Sequence, residues 1–147
     1  MGFLQQIRAN MPTKSFKKKA EWKSGLRPYF EYRDLGIVKA TQGKVLAHVI
    51  RANGPCPGSG GYHTHDLEFH MNYVLNGWTG VEFEEEGEFI FEAGDSLVPT
   101  SQHQTWNEWV FRWLRVIEII MPAEFPTNKA QRDWLVGWTI TGELLVG

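Results

Sequence analysis

The sequence has little of three features that would each indicate a particular class of protein. It contains a single cysteine among 147 residues, Cys56, which excludes an internal disulfide framework and is typical of a reducing compartment. Its formal net charge is only −2, so no whole-molecule field attracts nucleic acid. No apolar run approaches the roughly 18 residues of a membrane span, and Met1–Asn10 shows no secretory signal. We therefore expect a cytoplasmic protein that binds neither nucleic acid nor membranes.

A convincing helical period is also missing. From Tyr29 onward, short alternating apolar segments recur about every 8–12 residues with glycine at the joints, which predicts an antiparallel sandwich or barrel. Among them, Gly36–Thr41 and Lys44–Arg51 are predicted to be strands joined by a hairpin turn at Gln42-Gly43. The predicted segments are a basic N-terminal arm (residues 1–28), a β-barrel (residues 29–126) and a C-terminal extension (residues 127–147).

Histidine, by contrast, is concentrated in one short stretch. Gly61–Gly77 holds three of the five histidines, His63, His65 and His70, and His103 follows about thirty residues later. Alternate residues of a strand share a face, so His63 and His65 would present both imidazoles on one side. Neutral imidazole is the commonest ligand for Zn, Fe, Ni and similar ions. Imidazoles converging from neighbouring strands would form a metal site that can leave a position open for substrate.

The strand after the His-x-His pair has one polar and one apolar face. If it is regular, Glu68, His70, Asn72 and Val74 share a face, and the alternate residues form a plainly apolar one. A polar face is costly to bury without partners. Inside a barrel it therefore indicates a pocket.

The chain resembles a small single-domain cupin, an all-β, antiparallel double-stranded β-helix of the jelly-roll type. The first cupin motif has His-x-His, then glutamate, then glycine six residues beyond it; here His63-Thr64-His65 is followed by His70 and Gly77. The second motif ends with a histidine and an asparagine, which match His103 and Asn107. The resemblance covers roughly residues 36–125.

The resemblance implies that His63, His65 and His103 bind a metal and that His70 takes the fourth position, where the family usually has glutamate. With imidazole in that position the ion keeps its full double charge, which favours a divalent transition metal such as Fe, Zn or Ni over Mn or Mg. Glu68 is the alternative fourth ligand. Five further polar residues are candidates for lining the pocket: His48, Tyr62, Glu68, Asn72 and Gln104.

One scaffold of this kind hosts many chemistries, so several functions stay open. The resemblance implies a metal-dependent enzyme, with dioxygenase-like action on a small enolisable compound as the favoured form and isomerase or cyclase chemistry close behind. A non-catalytic module that senses a metal or a small ligand is the alternative. We also expect a homodimer, because cupins often pair and because seven tryptophans are more than a small barrel interior easily holds.

Overall fold

The computed structural model describes most of the chain. It covers residues 11–24, 29–54, 63–65, 67–99, 105–110, 113–124, 127–129, 137–138 and 144–145. Cys56 and the part of the N-terminal arm before Met11 lie outside these ranges. So do the candidate site residues Tyr62, His103 and Gln104.

Strands are the main regular structure of the described residues. The strands are β1 (Lys23–Ser24), β2 (Phe30–Asp34), β3 (Leu46–Ala52), β4 (His63–His65), β5 (Phe69–Asn76), β6 (Trp78–Phe83), β7 (Gly87–Glu92), β8 (Ser96–Leu97), β9 (Thr105–Val110), β10 (Arg115–Met121), β11 (Thr127–Lys129), β12 (Gly137–Trp138) and β13 (Leu144–Leu145). A six-stranded sheet has the order β1-β2-β3-β10-β5-β8, a five-stranded sheet has the order β11-β4-β9-β6-β7, and β12 pairs with β13. The paired strands are antiparallel, which confirms the predicted all-β fold class.

One predicted strand is wrong. Residues Gly36–Thr41 form a short helix, α1 (Ile37–Ala40), instead of a strand. Gly36 adopts a left-handed conformation with a φ of 76°, and its N–H donates to the Asp34 carboxylate at 2.7 Å, so the chain turns out of β2 at this point. The Thr41 hydroxyl then donates to the Ile37 carbonyl at 2.8 Å and closes the helical turn. No helix in the described ranges is long and apolar enough to cross a membrane.

The core lies between the two sheets. Val74 of β5 is 1 % exposed and packs in one cluster with Val116 of β10 and Phe30 of β2, all on the inner face of the six-stranded sheet. Phe91, from β7 in the five-stranded sheet, packs against this cluster. Each fully buried apolar side chain of this size stabilises the fold by roughly 1.5–3 kcal/mol. The alternation that fills this core also decides which polar side chains face the interior.

The segment before β2 contacts the outer face of the same sheet. β1 pairs with β2, with Lys23 opposite Tyr32. The Trp22 ring centroid lies 3.9 Å from the guanidinium carbon of Arg51, a cation–π geometry. A further contact joins the Arg33 guanidinium to the Ser15 hydroxyl at 2.8 Å. Residues 11–24 therefore lie against the sheet through both backbone pairing and side-chain contacts.

Candidate functional site

The centre of the six-stranded sheet brings three strands together that are far apart in sequence. β10 lies between β3 and β5, and its Glu118 is paired with His48 on one side and with Asn72 on the other. Val116, two residues before Glu118, is paired with Val74 and belongs to the core cluster. Because residues two apart on a strand share a face, His48, Glu118 and Asn72 lie on the inner face of the sheet.

Four polar side chains form a contiguous group on this inner face. Glu118 contacts both histidines: its Oε2 lies 2.6 Å from Nε2 of His48, and its Oε1 lies 2.9 Å from Nε2 of His70. The Asn72 amide lies 3.1 Å from the same His70 nitrogen. His48, His70 and Glu118 are 6 %, 8 % and 5 % exposed. We call these four residues the Glu118 cluster.

The Glu118 carboxyl group is ionised despite its burial. Desolvation raises its pKa, but the hydrogen bonds and the coulombic attraction of His48 and His70 outweigh that effect and lower the pKa to about 2. A carboxylate can only accept hydrogen bonds, so Nε2 of each histidine must carry a hydrogen and donate it. In a neutral ring of His48, Nδ1 is then the nitrogen that carries the lone pair.

Such a group is costly to place inside a barrel. Desolvating an ion pair often costs more than the pair returns, and well-packed apolar side chains of similar volume are frequently as stable or more so. Stability alone therefore gives no reason for a carboxylate between two imidazoles at this place. Buried titratable groups with specific partners are typical of functional sites.

The predicted His-x-His pair is partly described. His63 and His65 occupy alternate positions of β4, as expected, and His63 is paired with Thr105 of β9. Among the side chains that the structure describes, no group of three or more His, Cys, Asp or Glu is arranged to hold a metal ion. Within the Glu118 cluster the closest atoms are joined by hydrogen bonds. The metal assignment for His63, His65 and His103 stays a prediction.

The two alternatives for the fourth ligand occupy different environments. Glu68 precedes β5, its side chain is exposed, and its backbone N–H donates to the Met121 carbonyl at 2.9 Å. The regular strand begins one residue later, at Phe69, so the assignment of Glu68 to its polar face stays a prediction. His70 and Asn72 do lie on that face together with Val74. Of the two alternatives, His70 is the one inside the barrel.

The sequence reasoning missed Glu118. The residue stands as a single acidic side chain in an otherwise apolar strand, Val116–Met121. A lone charge in such a run is a signal for a buried, paired group, since unpaired burial is costly. His48, which was selected only as a pocket candidate, is its closest partner. The pairing itself depends on strand order, which the local sequence does not specify.

Comparison with known proteins gives a fold but no family. No protein-family model and no curated protein matches the sequence. The polyketide cyclase RemF from Streptomyces resistomycificus matches with a TM-score of 0.63 at 16% identity, over 84% of this chain and 89% of that one. The chain has a cupin-type β-barrel fold.

Two further solved structures share this fold. Streptomyces Pac13, described as a nucleoside dehydratase, matches with a TM-score of 0.54 at 9% identity, over 84% of this chain and 98% of that one, and variants of it have been solved with uridine. The Fe(II) protein HppE matches with a TM-score of 0.55 at 11% identity, over 73% of this chain and 58% of that one. At such low identities the likeness establishes the fold alone, so the function has to be argued from the site.

Proposed function

We propose that this protein is a metal-dependent enzyme that acts on a small enolisable organic compound inside the barrel. One observation carries the proposal: the ionised carboxylate of Glu118 is buried between two imidazoles on the inner face of the sheet. This arrangement can move a proton, and its burial is hard to explain as scaffold. Activities in solved structures with this fold include a cyclase and a dehydratase.

The metal in this proposal is a divalent transition metal, Fe, Zn or Ni, held by His63, His65 and His103 with His70 as the fourth ligand. The residues fit such an ion, because all four are imidazole donors. His63 and His65 alternate on β4, and Thr105, the partner of His63, follows His103 by two residues in the sequence. When bound, the ion would act as a Lewis acid toward a substrate oxygen.

His48 is the proposed general base. Its Nε2 donates to Glu118, so Nδ1 is the atom that can take a proton from a carbon next to a carbonyl group. The Glu118 carboxylate would stabilise the imidazolium that forms and hold the ring in orientation, as a carboxylate behind a catalytic imidazole does. Positioned proton transfer of this type contributes about 10²–10⁴-fold to a rate.

Two reaction forms remain, and a metal exchange separates them. The HppE match, an Fe(II) protein, supports iron as the metal, which a dioxygenase-like reaction would use, whereas the His48–Glu118 pair supports isomerase or cyclase chemistry. Metal-free protein would be loaded in parallel with Fe(II) and with Zn(II) and offered a panel of β-diketones, while oxygen uptake and product mass are followed. Because Zn(II) has no redox chemistry, turnover with Zn(II) and without oxygen uptake identifies the isomerase or cyclase. Oxygen uptake with Fe(II) alone identifies the dioxygenase.

The same panel tests the enzyme against the sensor. A compound that raises the melting temperature but is recovered unchanged with either metal would support a ligand-sensing module and overturn the enzyme proposal. Metal content would be measured by mass spectrometry on tag-free protein and on a His63→Ala/His65→Ala double variant. Wild-type protein that retains no stoichiometric metal after reloading would contradict the metal assignment.

We further propose a homodimer formed through the outer face of the six-stranded sheet. On β5, Phe69, Tyr73 and Leu75 are 39 %, 38 % and 48 % exposed. Ile117 and Ile119 of β10 are the paired neighbours of this strand's outer residues, so the apolar surface continues across two strands. A two-fold axis would set this surface against itself, and exposed apolar surface of this kind is typical of interfaces.

Light scattering tests the dimer. The wild type should have twice the mass of the chain, and Tyr73→Glu should shift the protein to the monomer because it buries a charge in the interface. Ile90→Glu is the matched control, since Ile90 is 50 % exposed on β7 of the other sheet, and it should stay dimeric. A monomeric wild type at high concentration, or a dimeric Tyr73→Glu variant, would contradict this interface.

A further inference from the structure

We infer that Phe83 and Phe89 form an aromatic wall opposite the Glu118 cluster, and that the substrate carries its enolisable carbonyl group on an aromatic ring. The inference deepens the proposed function and rests on it, because it places this substrate inside the barrel. It assigns Phe89 the role of a specificity-determining residue, which binds the ring of the substrate and takes no part in proton transfer.

Phe83 and Phe89 lie on the inner face of the five-stranded sheet. Phe91, two residues after Phe89 on β7, packs against the core cluster, and residues two apart on a strand share a face. The ring centroids of Phe83 and Phe89 are 5.9 Å apart, and those of Phe83 and Phe91 are 6.3 Å apart. Both distances are typical of interacting aromatic pairs. The three rings therefore line one side of the interior.

The aromatic wall lies at the same level of the barrel as the Glu118 cluster. β5 and β7 end close together, because β6 begins at Trp78, two residues after β5, and Trp78 is paired with Glu92 at the end of β7. Followed backwards from this end, β7 leads to Phe89 and β5 leads to Asn72, in each case one inner-face position beyond a core residue. The aromatic rings and the polar cluster therefore face each other from the two sheets.

The exposure of these side chains indicates that the interior is open at this level. Val74, the core residue of β5, is 1 % exposed, whereas Asn72, the next inner-face residue, is half-buried. Phe89 is 43 % exposed, although it shares the inner face with Phe91. A ring that keeps this much exposed surface on the inner face of a barrel can contact a ligand, and pockets for small molecules are typically lined in this way.

A pocket with one charged wall and one aromatic wall favours a ligand with the same division. The enolisable carbonyl group belongs beside His48, the proposed base, and its partner Glu118. The other end of the ligand then contacts Phe83 and Phe89, whose ring planes are inclined by 59°. A third ring can make offset-stacked or edge-to-face contacts with such a pair, which adds to the burial of apolar area. A saturated group gains the burial alone.

Three β-diketones with the same enolisable group test this preference: benzoylacetone, its cyclohexyl analogue and acetylacetone. Their dissociation constants would be measured by isothermal titration calorimetry on the wild-type protein as purified. Benzoylacetone should bind at least about tenfold more tightly than acetylacetone, because it buries a ring. It should bind about twofold to tenfold more tightly than the cyclohexyl analogue, the effect of one aromatic contact. A cyclohexyl analogue that binds as tightly as benzoylacetone would overturn the inference.

Substitutions on β7 assign the preference to Phe89. Phe89→Ala should weaken benzoylacetone binding by about twofold to tenfold and leave acetylacetone binding unchanged. Phe89→Tyr keeps the ring and should keep both constants. Ile90→Ala is the matched control, because Ile90 is 50 % exposed on the same strand and belongs to its opposite face. It should bind both compounds as the wild type does. Phe89→Ala with unchanged constants, or with both constants weakened equally, would contradict the inference.

The failure of the inference can be told apart from the failure of the proposed function. If benzoylacetone and acetylacetone bind the wild type equally well, the ring preference is absent and the inference fails, while the proposed function stands. If neither compound binds and no diketone is consumed, the proposed function fails and the inference fails with it.

Discussion

The buried Glu118 carboxylate should make the stability of the metal-free protein depend on pH in a specific window. Its pKa is about 2 in the folded protein, against 4.5 as the ordinary value expected in the unfolded chain. A lowered pKa means that ionised Glu118 stabilises the fold at every pH above about 4.5. This stabilisation is lost as the pH falls toward about 2, when the carboxylate becomes protonated in the folded state as well.

The magnitude follows from the difference between the two pKa values. A difference of about 2.5 pKa units, at about 1.36 kcal/mol per unit, means that at neutral pH ionised Glu118 favours the folded state by about 3 kcal/mol relative to a protonated Glu118; an apolar side chain in its place is a separate comparison. By pH 3, roughly 2 kcal/mol of this should be gone. The groups that face the carboxylate are His48 from β3 and His70 from β5, so the effect belongs to the three residues together.

Urea unfolding followed by tryptophan fluorescence would measure this effect at several pH values between 7 and 3. The quantity to compare is the difference in unfolding free energy between the wild type and Glu118→Gln, which cannot ionise at this position. The wild-type advantage should shrink by roughly 2 kcal/mol across the range. The exposed Glu84→Gln variant should show no such convergence. A difference between wild type and Glu118→Gln that stays constant from pH 7 to pH 3 would refute the reasoning.

Three further substitutions test other parts of the fold by urea unfolding at pH 7. Ile120→Ala should cost about 2–5 kcal/mol, since Ile120 is 0 % exposed, whereas Ile90→Ala at 50 % exposure should cost far less; equal costs would place the core elsewhere. Gly36→Ala should cost about 1–2 kcal/mol, because its φ is +76° and a Cβ would lie 3.3 Å from a side-chain carbon of the N-terminal segment. Gly54→Ala meets no atom within 4 Å and should be nearly neutral. Trp22→Ala should lower the free energy of unfolding by about 0.5–1 kcal/mol through its lost cation–π contact. An unchanged free energy of unfolding would mean that this contact does not stabilise the fold.

The parts of the fold that depend on local pattern were predictable from the sequence. The predicted strand over Lys44–Arg51 is present as β3 (Leu46–Ala52), and the Gln42-Gly43 turn is present with both residues at positive φ. The turn follows a helix instead of a strand, however. The reason is the hydrogen bond from the Gly36 N–H to the Asp34 carboxylate, which turns the chain out of β2. This local hydrogen bond outweighs the strand preference of the β-branched residues that follow.

The candidate site was only half predictable, for a different physical reason. The His-x-His pair can be recognised in the sequence because its two histidines are two positions apart and therefore share one face of a strand. Glu118 is 70 residues from His48 and 48 residues from His70 along the chain. Its partners are decided by the order β3-β10-β5, which is set by packing of the whole sheet and cannot be read from the residues next to Glu118. A search for lone charges in apolar strands would have selected it.

The Glu118 cluster also has a consequence for how the strands find their alignment. If β10 slipped by one residue, Glu118 would move to the outer face, and both histidines would lose their partner. A slip of two residues against β3 keeps the inner face but sets the carboxylate opposite Leu46 or Ile50, where it would lose its contact with His48. Apolar strands of similar side chains tolerate such slips, whereas an unpaired buried charge does not. Glu118 thus distinguishes the native register of the central strand from its nearest competitors.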